Sequence, residues 1–152
     1  MAACQQEEQR EEAQVTSYLL DTHTWLWVQQ RVTEEVSSGF FTEAEEWQQL
    51  GRAYISSISV LELARLVADG YLELGMSVER FLEEGTRDSG LQLLPLTVQI
   101  LIESTRLPGE IHRDPADRIL VATAREHGMT LVTRDKPLLK YAQQGHLNAR
   151  KP

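Results

Sequence analysis

Between His112 and Asp135 the chain reads HRDPADRILVATAREHGMTLVTRD, and this stretch restricts the possible folds more than any other. Pro115 suits the first turn of a helix, where its missing N–H removes no hydrogen bond. Asp114 before it reads as an N-cap and Asp117 as the third helical residue, so both carboxylates share one face at the helix start. Ile119, Leu120, Ala122 and Thr123 carry the helix on, and Gly128 supplies a C-terminal stop. Thr130–Thr133 is then a short β-branched run of the kind buried in parallel sheets. Arg134 and Asp135 end that strand, and a new helical pattern follows Lys136-Pro137. A helix opened by acids, then a strand delivering another acid at its carboxyl end, fits an open α/β sheet. Such sheets bind ligands at the carboxyl ends of their strands.

The remaining segments extend this pattern. Residues 1–16 are Gln- and Glu-rich with almost nothing to bury, and read as a disordered or frayed helical extension. Ser17–Leu20 is a first strand ending at Asp21, with Thr22 as a possible cap for a helix through Val28. The polar segment 29–41 reads as a loop. Thr42–Leu50 is an acidic helix with Thr42 and Glu45 in capping-box spacing, closed by Gly51. Ala53–Ser56 is a second strand. It leads into a helix from Ser57 to Val67 that turns Ile58, Leu61, Leu63 and Leu66 to the core and sets Glu62 one position round. Gly70 and Gly75 mark turns around a short Tyr71–Leu74 segment, and Val78–Thr86 is a further helix. Leu91–Pro95 is a third strand, and Thr97 caps a helix through Ser104. A loop over 106–113 enters the acidic stretch. After Asp135 come a helix over Leu138–Gln143 and an edge strand over 146–149. Strands alternating with helices predict a single α/β domain over 17–150, with a parallel sheet covered on both faces.

Composition excludes several classes. No apolar run approaches the ~20 residues of a membrane span, and no signal-peptide pattern opens the chain. Cys4 is the only cysteine, so no internal disulfide can form, which suits a reducing cytoplasm. The net charge of −8 is unevenly spread. Residues 1–50 hold ten acidic and two basic side chains, whereas residues 106–152 hold five and nine. A basic segment beside an acidic cluster can steer a polyanion towards metal ions; a solvated mixed-charge surface is the plainer reading.

Asp21, Glu62, Asp117 and Asp135 occupy comparable places, at strand ends or in the helices that follow. If the first and fourth strands are neighbours, Asp21 and Asp135 meet at a switch point. Carboxylates forced together repel and raise each other's pKa. Oxygen-seeking divalent cations relieve that, and two such ions can serve phosphodiester hydrolysis. No Cys or His cluster has zinc spacing. Arg65, Arg113, Arg118 and Arg134 are candidate phosphate contacts or neutralising partners. His23 and His112 flank two of the acids and read as capping or surface residues, because oxygen-ligand chemistry does not require them.

The segments LLDTHTWLW (19–27), ISSISVLELA (55–64), HRDPADRILVATA (112–124) and LVTRD (131–135) resemble a PIN domain, and more narrowly the VapC-like ribonuclease toxins of toxin–antitoxin pairs. The likeness covers residues 17 to about 150, with all four motifs in family order. It implies a five-stranded parallel sheet in order 3-2-1-4-5 and metal-site acids at Asp21, Glu62, Asp117 and Asp135. Asp114 and Thr133 would support that site. The resemblance further implies Mg²⁺ or Mn²⁺ as cofactor, RNA as substrate, a cognate antitoxin and a homodimer. Trp25, Trp27 and Trp47, more aromatic surface than one small core readily hides, point the same way. Two departures stand out: the acidic extension of sixteen residues, and Ala116 where the narrower group often carries a bulky aromatic. The expectation is a metal-dependent endoribonuclease. A catalytically silent PIN-like binding module is the first alternative. A phosphatase or phosphoacceptor is the second, less supported because no DxD motif follows the first strand.

Overall fold

A computed structural model describes residues 15–152. Residues 1–14, and with them most of the expected extension and Cys4, lie outside the described residues. Five strands form one parallel sheet: β1 (Tyr18–Leu20), β2 (Ala53–Ser56), β3 (Gln92–Leu94), β4 (Thr130–Val132) and β5 (Ala149–Arg150). Their spatial order is β3-β2-β1-β4-β5, the order the family resemblance implies. Helices α1 (Thr22–Gln30), α2 (Phe40–Gln49), α3 (Ser57–Ala68), α4 (Val78–Glu83), α5 (Val98–Ser104), α6 (Pro115–His127) and α7 (Lys136–Gln143) connect and cover the strands.

Successive strand side chains point to opposite faces, and the two faces carry separate cores. Leu20, Ile55 and Val132 pack with Trp25, Phe40, Trp47, Leu63 and Phe81 on one side. Leu19 and Leu131 pack with Leu120, Val121, Leu138 and Tyr141 on the other. Neighbouring leucines in β1 therefore serve different layers, and both are fully buried. That two-sided burial explains why the strands read as apolar runs rather than alternating ones.

Several boundaries differ from expectation for identifiable reasons. Helix α1 runs through the residues expected to open a loop, and a single 3-10 turn (Thr33–Glu35) interrupts the rest of that segment. Helix α2 starts at Phe40 behind Gly39, which takes a left-handed φ of 86° and makes no side-chain cap. The Thr42–Glu45 capping box is thus not the helix start. Burial of Phe40 edge-on to Trp47, 5.7 Å between ring centres, begins the helix two residues earlier. Helix α4 ends in a π-turn over Glu84–Asp88. The final strand lies later than expected, its register set by pairing of Leu131 with Ala149 and Val132 with Arg150. In α3, Leu61 is 53% exposed, so the core stripe runs through Ile58 and Leu63 without it. Trp25 is fully buried and Trp47 nearly so, against the expectation of aromatic surface. Trp47 is covered by Tyr18, whose ring stacks on it at 3.7 Å.

Candidate active site

The strand order reverses between β1 and β4, and the acids gather at the carboxyl end of that junction. Asp21 follows β1 directly, its N–H donating to the Val132 carbonyl (3.1 Å), so its backbone continues the sheet. Its carboxylate is held at both oxygens: Oδ1 accepts from the Thr24 N–H (2.8 Å), and Oδ2 accepts from the Thr133 hydroxyl (2.5 Å). Asp21 rather than Thr22 is therefore the cap of α1. The fully buried Thr133 also accepts from the Asp135 N–H at 3.0 Å, tying the ends of β1 and β4 together. Asp135 caps α7 through the Leu138 N–H (3.0 Å).

Helix α6 supplies two further acids. Asp114 caps it, accepting from the N–H groups of Ala116 (2.9 Å) and Asp117 (3.1 Å). Asp117, three residues on, turns inward with its side chain only 24% exposed. Helix α3 contributes Glu62, whose Oε1 accepts from the Thr22 hydroxyl (2.6 Å). Thr22 also lies 2.9 Å from the buried Ser59 hydroxyl, so this carboxylate is anchored from α1.

The electrostatics follow from this crowding. Burial pushes the Asp117 carboxyl up to about 7. The charges of Asp114, Asp135 and Glu62 add to the effect, and His112 opposes it. Burial also raises Glu62; the Thr22 hydrogen bond and His23 oppose the shift, while Asp114 and Asp21 reinforce it. Asp21, Glu62, Asp114, Asp117 and Asp135 thus form one electrostatically connected group. A carboxyl held protonated near neutrality by burial and by its neighbours is relieved when a divalent cation enters among them. An oxygen-rich, charge-crowded donor set of this kind suits Mg²⁺ or Mn²⁺.

His112, read from sequence as a capping or surface residue, stands inside this group. Its Nε2 is 3.2 Å from Asp117 Oδ2, and one ligand atom each from His112, Asp117 and Asp135 lies within 4.8 Å of the other two. The sequence signal was its place two residues before Asp114; its approach to Asp135 depends on the fold.

The four arginines divide. Arg65 and Arg113 are exposed and form no ion pair among the described residues. Arg118 donates through Nε to the Ser104 carbonyl (2.9 Å), tying α6 to α5. Arg134 pairs with Glu35 (2.5 Å) and lies over the Trp27 ring at 5.7 Å. A cavity of about 520 Å³ beside the end of α1, α2 and the π-turn is lined by Glu45, Glu84 and Asp88 but by none of Asp21, Glu62, Asp114, Asp117 and Asp135. No helix among the described residues is long and apolar enough to cross a membrane.

A family model described as PIN domain matches residues 18–144. Ribonuclease VapC22 of Mycobacterium tuberculosis is 30% identical over 124 residues, covering 82% of this chain and 91% of the relative. Among solved structures, VapBC2 from Rickettsia felis bound to a DNA fragment from their promoter is similar with a TM-score of 0.64. That likeness has 17% identity and covers 90% of this chain and 98% of that one. FitAcB from Neisseria gonorrhoeae gives a TM-score of 0.58 at 22% identity, covering 87% and 95%. At these identities the structural likenesses speak for the fold.

Proposed function

Because the chain belongs to the PIN domain family, we propose that it is a divalent-metal-dependent endoribonuclease acting as the toxin of a toxin–antitoxin pair. The observation that carries this reading is the group of five carboxylates at the β1–β4 switch point, with Asp117 raised to about 7 by burial and by its neighbours. An ordinary solvated acidic surface has no reason to bury carboxylates against one another. The relative named as a ribonuclease supports RNA as the substrate. The neighbours solved as VapBC2 and FitAcB support an antitoxin as the partner.

In this reading Asp21, Glu62, Asp117 and Asp135 hold Mg²⁺ or Mn²⁺. Bound there, such ions supply Lewis acidity towards water and the scissile phosphate. The chain's own part is positioning. Thr133 fixes Asp21 by its hydroxyl and Asp135 by accepting its N–H. Thr22 fixes Glu62. Asp114 orders the first turn of α6 and so aims Asp117. Arg65 and Arg113 are the exposed cations best able to take phosphates of a bound strand. Arg118 and Arg134 act in this reading first through Ser104 and Glu35. A homodimer also belongs to the proposal. Its support comes from the exposed Val98, Leu101 and Ile102 of α5 (73%, 43% and 45% exposed), which share one helix face, and not from the buried tryptophans.

The test is cleavage of a mixed RNA pool by the purified protein with Mn²⁺, with Mg²⁺ and with chelator. Cleavage with metal and none with chelator is expected. RNA binding without cleavage under every metal condition would favour the silent module instead.

A further inference from the structure

His112 is a side chain that the acid motifs do not require, yet it stands among the acids. It lies in the loop before α6, two residues ahead of Asp114, and is half-buried. Its Nε2 is shielded from solvent and has no hydrogen-bond partner among the described residues. The 3.2 Å approach to Asp117 Oδ2 is close but not aligned as a hydrogen bond. A shielded ring nitrogen normally has a partner, and one without it calls for an explanation. One ring nitrogen of His112 forms a compact triangle with a carboxylate oxygen each from Asp117 and Asp135, every separation within 4.8 Å. Adjacent ligands of an octahedral ion with bonds of ~2.1 Å stand roughly 3 Å apart. The His112–Asp117 separation of 3.2 Å is close to such an edge.

We propose that His112 is a nitrogen ligand to the cation held by Asp117 and Asp135, so that this end of the site is a mixed imidazole–carboxylate set. The inference rests on the metal-dependent reading above. It carries a consequence for ion choice. Mg²⁺ strongly favours oxygen donors, whereas imidazole favours first-row transition ions, so His112 biases this position towards Mn²⁺ over Mg²⁺. The competing role for the same contact is an imidazolium that merely neutralises Asp117. The two roles have opposite signs. Removing a ligand weakens cation binding, while removing a positive neighbour strengthens it.

Pulsed electron paramagnetic resonance of Mn²⁺ bound to the full chain separates them, together with Mn²⁺ and Mg²⁺ titrations. The wild type is expected to show coupling of bound Mn²⁺ to an imidazole nitrogen. His23→Gln, which removes the exposed histidine beside Glu62, keeps that coupling. His112→Ala loses it and binds Mn²⁺ on the order of tenfold more weakly, with a smaller change for Mg²⁺. Bound Mn²⁺ without imidazole coupling in the wild type would overturn the inference and leave the carboxylate site standing. So would unchanged or tighter Mn²⁺ binding by His112→Ala. A wild type that binds no Mn²⁺ at all overturns both. The wild-type spectrum decides the matter even if His112→Ala folds poorly.

Discussion

Asp117→Asn should stabilise the metal-free protein at pH 8 while destroying the site. The Asp117 carboxyl titrates near 7 in the folded chain against 3.8 for the ordinary group. The folded state therefore holds a proton that the unfolded chain has already released. Asp117 thus favours folding most below pH ~4, and that advantage is lost as pH rises to about 7. Each pKa unit is worth about 1.4 kcal/mol, so the full penalty above neutrality is at most about 4 kcal/mol. The side chain is 24% exposed, which keeps water near it and lowers that bound. The amide removes the titration but also gives up a favourable negative charge in the first turn of α6, worth about 0.5 kcal/mol. A net gain of about 1–3 kcal/mol at pH 8 follows, or several degrees in melting temperature for a chain of this size. The assay is thermal melting in chelator for wild type and variant from pH 4.5 to 8. The gain should grow across the range up to about 7 and be flat above it. A variant that melts lower than wild type at pH 8, or a gain independent of pH, would refute the idea that burial and crowding raise this carboxyl.

Other perturbations follow from the same contacts. Asp21→Asn keeps the cap but offers one acceptor oxygen to the two donors Thr24 N–H and Thr133 hydroxyl, a loss that relief of carboxylate repulsion offsets, so stability should change by no more than about 1–2 kcal/mol; RNA cleavage by that variant should fall about a hundredfold or more. Thr133→Val removes the donor to Asp21 and leaves the Asp135 N–H unpaired, so melting should report a loss of about 1–3 kcal/mol. Trp25→Ala should cost about 3–5 kcal/mol by denaturant unfolding, since the ring is fully buried against Phe81. Trp27→Ala, at a half-buried position under Arg134, should cost less than half of that.

What could be read from the sequence was mostly what local chemistry decides. Asp114 and Pro115 announce a helix start by capping and by proline's fixed φ, and α6 begins there. The strand order came from the resemblance of four motifs rather than from periodicity, because three-residue strands buried on both faces carry little period of their own. Asp21 as a helix cap was missed because it ends a strand and Thr22 offered a competing hydroxyl. The start of α2 depends on where Phe40 finds the Trp47 ring, and the exposure of Leu61 on which flank of α3 the sheet covers. The tryptophans misled because one core takes Trp25 and Trp47 together with Phe40 and Phe81, and the Tyr18 ring covers Trp47. His112 entered the acid group only through tertiary approach, as the loop before α6 meets the end of β4.

In the proposed function Asp21, Glu62, Asp117 and Asp135 act together on RNA through divalent cations. The most direct measurement is RNA cleavage with saturating Mn²⁺ by Asp21→Asn, Glu62→Gln, Asp117→Asn and Asp135→Asn, each shown by melting to be folded. All four variants are expected to lose nearly all cleavage while the wild type is active. Wild-type cleavage by any folded member of the set would remove that residue from the site, and by two or more would rule out a shared four-carboxylate metal site.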